Sequence, residues 1–146
     1  PTPIRTQISV AELFTDLKQL FPEEEIQFEA PSPELKLNAD RTQIEQVLIN
    51  LLKNAREACN RKLDKNIQVK VKKLSAGNTA LTISDNGEGI LPDVLDKIFV
   101  PFFTTKTSGS GIGLSLCKQI MTLHEGSINV KSEVGKGSSF ILTFPK

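Results

Sequence analysis

The sequence predicts an α/β (α+β) domain, a mixed sheet with helices packed on one face. Three observations predict it. Short segments alternate apolar and polar residues as strands do, longer ones repeat apolar residues at three and four as helices do, and several strands follow one another as hairpins. With 146 residues, a net charge of +1, 38% hydrophobic and 24% charged residues, the chain reads as a single soluble domain over 1–146. A chain of this length buries roughly two-thirds of its unfolded surface, enough to fold without a disulfide or metal.

Ile4 to Ser9 alternates and reads as a short strand. Val10, Leu13, Phe14, Leu17 and Leu20 then share a helix face, with Ser9 as N-cap and Glu12 completing a capping-box pattern. Ile26 to Glu29 is a second strand, and Ala30 to Asp40, carrying Pro31 and Pro33, reads as a loop. Asp40 caps a long helix from Arg41 to about Arg61, striped by Ile44, Val47, Leu48, Leu51, Leu52, Ala55 and Ala58. Two strands, Ile67 to Leu74 and Thr79 to Ser84, flank a hairpin connection at Ser75 to Asn78. From Gly87 to Gly111 runs a long connection rich in Gly, Ser, Thr and aromatic residues, of the kind that carries function. A helix from Ile112 to His124 follows, with Gly126 as its C-cap candidate. Strands Ser127 to Ser132 and Ser138 to Phe144, around a Gly135-Lys136-Gly137 turn, complete the chain.

Near-neutral charge, no Tyr or Trp and no clustered basic stripe argue against nucleic acid as a partner. No apolar stretch approaches the roughly 20 residues of a membrane span, so direct membrane contact is not expected. Cys59 and Cys117 lack metal-binding spacing and read as reduced core or surface residues of a reducing compartment.

Four segments could carry chemistry. Asp85-Asn86-Gly87-Glu88-Gly89-Ile90 places an acceptor-only carboxylate at a strand end with glycines beyond it. A plain Asp-Asn-Gly turn accounts for that pattern, and so does a pocket in which Asp85 accepts from the exocyclic amine of a purine. Asn50 and Asn54, one helical turn apart, border the apolar stripe. They are surface amides or a pair facing a cleft, where an amide oxygen suits Mg²⁺ held mainly by phosphate oxygens. Gly109-Ser110-Gly111-Ile112-Gly113-Leu114 opens a helix, as a hinge or as a cradle of free N–H groups for phosphate. Lys106 is a solvated loop lysine or a point charge for a terminal phosphate. Phe99, Phe102 and Phe103 read as anchors of the connection on the core, and His124 as a structural residue at a helix end.

In this order the segments closely resemble the catalytic, ATP-binding domain of two-component sensor histidine kinases, within the group that includes gyrase-like, Hsp90-like and MutL-like ATPases. Gln46 to Ala55 resembles the N box, Asp85 to Ile90 the first glycine box, Ile98 to Lys106 the phenylalanine box and Gly109 to Leu114 the second glycine box; Gly135 to Phe140 is similar to the final glycine turn. The resemblance spans about Ile4 to Pro145. It implies a two-layer sandwich of the Bergerat type, about five mostly antiparallel strands under about three helices, with an ATP lid over about 91–110.

Carried over residue by residue, it implies that Asp85 binds the adenine amine, Asn54 ligands Mg²⁺, Asn50 supports the phosphates, and Gly87 and Gly89 line the base pocket with Ile90 and Phe99. Gly109, Ser110, Gly111, Ile112, Gly113 and Leu114 would hold the lid turn and phosphates, and Lys106 the terminal phosphate. One departure concerns Glu57, which stands where many such kinases carry a basic residue, Arg56 being one position earlier. Hydrolytic relatives place a water-activating Glu about one turn before the metal-binding Asn. Asn50 cannot act as that base, which fits transfer of the γ-phosphate to a protein histidine. The implied acceptor lies on a helical-hairpin domain N-terminal to Pro1, with a response regulator downstream, in the cytoplasmic part of a sensor kinase. A hydrolysing ATPase, an anti-sigma-type serine kinase and a nucleotide-binding module without transfer are the alternatives.

Overall fold

A computed structural model describes residues 1–103 and 113–146. Among these, the order is β1 (Thr6–Ser9), α1 (Val10–Leu20), β2 (Ile26–Glu29), β3 (Lys36–Ala39), α2 (Arg41–Ala58), β4 (Ile67–Lys73), β5 (Thr79–Asp85), α3 (Pro92–Leu95), α4 (Gly113–Leu123), β6 (Ser127–Glu133) and β7 (Gly137–Phe144). Five strands form one sheet in the order β2-β4-β5-β7-β6. The β2–β4 pair is parallel and the other three are antiparallel, so the sheet is mixed and mostly antiparallel, as expected.

Register explains where the core lies. Phe28, Val69, Ile83, Phe140 and Val130 stand in one row across the sheet, and Val71, Leu81, Leu142 and Ile128 in the next. Against these rows pack the buried stripes of α1 (Val10, Leu13, Phe14, Leu17), α2 (Ile44, Val47, Leu48, Leu51, Leu52, Ala55) and α4 (Cys117, Ile120, Met121). The intervening strand positions are mostly polar, with Ser84 and Ser139 hydroxyls 2.8 Å apart on the opposite face. No helix of the described residues is long and apolar enough to cross a membrane.

The N-cap residues of α1 and α2 are those the sequence predicts. Glu12 N–H donates to Ser9 Oγ at 3.2 Å, and Gln43 N–H to Asp40 Oδ1 at 3.2 Å, each satisfying a donor that the helix start leaves unpaired.

Three local expectations need correction. The segment read as a loop over Ala30 to Asp40 contains β3, which pairs antiparallel with β1 in a separate two-stranded ribbon. Its alternation is present, with Leu37 and Ala39 buried between exposed Lys36 and Asn38, but it is four residues long and follows two prolines. Gly126 is not the left-handed residue that ends α4. Glu125 takes that conformation (φ 61°), while Glu125 N–H donates to Thr122 carbonyl and Gly126 N–H to Met121 carbonyl, both at 2.9 Å, in a Schellman arrangement. Gly126 is needed one position later, where a Cβ would collide with the Thr143 carbonyl oxygen. Finally, Phe102 anchors nothing: it is 76% exposed, whereas Ile98 is buried and Phe99 packs partly against the core.

Candidate nucleotide site

The third row of the sheet is Ile26, Ile67, Asp85, Ser138 and Ser132. Strand side chains alternate, so Asp85 points to the same side as Leu81 and Ile83, towards the helices. The apolar row turns polar at Asp85, which places a half-buried carboxylate at the rim of the core.

The turn after Asp85 is held from three directions. Gly87 N–H donates to Asp85 Oδ1 at 2.8 Å, and Glu88 N–H to the carbonyl of Ala58, the last residue of α2, at 3.2 Å. A Cβ on Gly87 would lie 2.5 Å from that same Ala58 oxygen, so only glycine lets the turn seat on the helix end. Ile90 N–H donates to Ser132 Oγ at 2.8 Å, and Gly135 N–H to Glu88 carbonyl at 2.9 Å, which fasten the turn to the β6–β7 hairpin. Gly89 (φ 79°) and Gly137 (φ 124°) adopt left-handed backbone, and a Cβ on either would strike backbone, of Glu133 and Asp85 respectively. The first glycine box and the final glycine turn are thus two halves of one packed unit. Asn86 belongs to it as well: its amide and backbone bond to the connection between α2 and β4. Sequence reading passed over Asn86 as a turn residue, because its partners Asp64 and Asn66 precede it by a whole hairpin.

Asn50, Asn54 and Ala58 follow one another at four-residue spacing along α2, so they share a face about 12 Å long. Both asparagines are half-buried at the edge of the apolar stripe, where the sequence puts them. Asn50 Nδ2 donates to Cys117 Sγ at 3.9 Å, and Cys117 Sγ to Val47 carbonyl at 3.8 Å, linking α2 to α4. Burial pushes the Cys117 thiol up to about 12, so it stays a neutral S–H. A Cβ on Gly113, the first residue of α4, would find Asn50 Cγ at 3.9 Å, an ordinary contact. One end of the α2 face therefore meets the start of α4 and the other meets the Asp85 turn. At the Asp85 end, burial first and the Asp85 charge second push the Cys59 thiol up.

A second link joins the two helices. Asp40 N–H donates to His124 Nε2 at 3.0 Å, and His124 Nδ1 lies 2.9 Å from Ile120 carbonyl. His124 is buried and bridges the start of α2 to the end of α4, the structural role expected of it. Ile4 N–H, chiefly, holds the Asp40 carboxyl below the usual carboxylate range, with Gln43 N–H adding to it.

Arg56 is engaged elsewhere, 3.0 Å from Glu23 and over the Phe21 ring at 5.0 Å. Lys118 of α4 sits 5.5 Å from the Phe99 ring, so Phe99 lies beside that helix. Leu114 is half-buried in its first turn. Lys106, Gly109, Ser110, Gly111 and Ile112 lie outside the described residues.

Residues 39–146 match the family model described as histidine kinase-, DNA gyrase B-, and HSP90-like ATPase. The sensor histidine kinase ZraS of Salmonella typhimurium is 39% identical over 121 residues, which cover 83% of this chain and 26% of that protein. The C4-dicarboxylate transport sensor protein DctB of Rhizobium meliloti is 41% identical, over 83% of this chain and 19% of its own length. The chain thus spans about a quarter or less of these two relatives. Among solved structures, the nucleotide-free catalytic domain of histidine kinase ThkA superposes with a TM-score of 0.85 at 35% identity, covering 98% of this chain and 96% of that one. With the family model matched over most of its length and the fold shared with a histidine kinase catalytic domain, the chain belongs to the histidine kinase-, DNA gyrase B- and HSP90-like ATPase family.

Proposed function

We propose that this domain binds Mg·ATP along the Asn50–Asn54–Ala58 face of α2 and transfers the γ-phosphate in line to a histidine on a helical-hairpin domain of the same protein, for relay to a response regulator. The observation that carries this reading is the placement of Asp85 at one end of that face and the start of α4 at the other. Asp85, already accepting from Gly87 N–H, orients its carboxylate for the adenine amine. Asn54 offers a neutral, hard amide oxygen to Mg²⁺, which phosphate oxygens and water otherwise surround. Asn50 stands at the phosphate end and, being an amide, activates no water. Gly113 and the first turn of α4 direct N–H groups at the phosphates. Lys106 and the glycines of 109–111 would complete that end.

Little covalent chemistry is asked of the domain. Phosphoryl transfer rests on alignment and charge neutralisation, and a neutral imidazole attacks without a strong base. A structure similar to this chain, of histidine kinase ThkA in complex with response regulator protein TrrA, supports a response regulator as the downstream partner. The test is to incubate the full-length protein with γ-labelled ATP. Acid-labile, base-stable protein phosphate is the expected product. Acid-stable phosphoserine would point to a serine kinase, and release of inorganic phosphate alone to a hydrolase.

A further inference from the structure

We propose that Asn86 is a positioning residue for purine recognition, holding the Asp85 carboxylate in register by tying its strand end to the connection between α2 and β4. The proposal rests on the reading of Asp85 as the adenine anchor. Asn86 engages both ends of its side-chain amide and its backbone N–H. Its Oδ1 accepts from Asn66 N–H at 2.9 Å and from Cys59 Sγ at 3.5 Å, its Nδ2 donates to Asp64 carbonyl at 2.8 Å, and its backbone N–H donates to Asn66 carbonyl at 3.2 Å.

These bonds set the position of the residue directly after Asp85 from one side. On the other side, Gly87 and Glu88 are seated on Ala58. Asp85 is therefore the last strand residue before a turn fixed at both flanks. Its Oδ1 is further oriented by Gly87 N–H, a bond whose geometry depends on where Asn86 sits between them. A strand end has no further ladder to hold it, so a side chain that reaches across to a neighbouring connection supplies the missing constraint. Asparagine is suited to this because one planar group both donates and accepts. Aspartate would keep the acceptor for Asn66 N–H but would set an oxygen against the Asp64 carbonyl.

A displaced carboxylate loses contact with the base and leaves phosphate binding untouched. The readout is therefore discrimination: the ratio of Kd for inosine triphosphate, which lacks the exocyclic amine, to Kd for ATP, measured by calorimetry. In the wild type ATP should bind more tightly, and Asp85→Asn should collapse the preference. Asn86→Ala should lower the ratio about tenfold and Asn86→Asp about threefold, through weaker ATP binding with inosine triphosphate binding retained. Equal weakening of both nucleotides, unchanged ratios, or loss of cooperative unfolding in both variants would overturn the proposal and leave Asn86 a fold residue. Those results, with the preference intact in the wild type and lost in Asp85→Asn, spare the reading of Asp85. If the wild type itself shows no preference, the adenine assignment falls and the proposal with it.

Discussion

The two ends of the α2 face are built differently. At the Asp85 end, the turn is fastened by backbone hydrogen bonds, joined by those of the Asn86 and Ser132 side chains, to α2, to the α2–β4 connection and to the β6–β7 hairpin, and glycines let backbones meet where a Cβ would not fit. At the Asn50 end, two helices are joined through side chains, Asn50 through Cys117 to Val47 and Asp40 to His124, and among the described residues a Cβ on the first glycine of α4 would meet only Asn50, at an ordinary contact distance. Recognition of a base by a single carboxylate needs a fixed acceptor. On the proposed function, the other end takes up phosphates with a hydrated metal ion and admits an attacking side chain, which needs space.

The sharpest way to break the contrast is at glycine. Gly137→Ala forces a left-handed residue and a clash with Asp85 backbone, and should cost about 3 kcal/mol in urea unfolding. Next is Asn54→Ala, which should lower Mg²⁺-dependent phosphorylation of the full-length protein about a hundredfold while cooperative unfolding is kept. Asp85→Asn removes the proposed acceptor for the adenine amine and should weaken ATP by about 2 kcal/mol, near thirtyfold in Kd by calorimetry.

Asp40→Ala removes the α2 cap and should cost about 1 kcal/mol at pH 7. Since the Asp40 carboxyl is held below its ordinary value, its contribution is full above the unfolded value of 3.8 and is lost as pH falls through the lower folded value. The gap between wild type and Asp40→Ala in denaturant midpoint should therefore narrow in acid below that range. Smallest of all, Gly113→Ala meets, among the described residues, only the Asn50 side chain at 3.9 Å and should change stability by less than about 1 kcal/mol. An effect at Gly113 as large as that at Gly137 would erase the distinction between the two ends.

The difference between the ends also governs what was legible in the sequence. Helix α2 announces itself through an apolar stripe and an Asp40 cap, local signals that survive without tertiary context, and with it comes the placement of Asn50 and Asn54 at the stripe's edge. Asp85 and its glycines are visible as a motif, but why Gly87, Gly89 and Gly137 are glycine is not, since each answers to backbone brought in from Ala58, Glu133 or Asp85. Asn86 was missed for the same reason. Strand β3 escaped because four residues carry too little periodicity to outweigh two nearby prolines, and its pairing with β1 lies across an intervening helix and strand. Glu125 as the left-handed end of α4 ran against the preference for glycine, which was required at the next position by Thr143.

The central claim is that the γ-phosphate goes to a histidine and not to water. Incubation of the full-length protein with γ-labelled ATP and Mg²⁺, followed by acid and base treatment of the labelled protein, tests it most directly. The account predicts protein-bound label that is lost in acid and kept in base, and that forms about a hundredfold more slowly in Asn54→Ala. Multiple turnovers of inorganic phosphate release with no labelled protein at any time would contradict it.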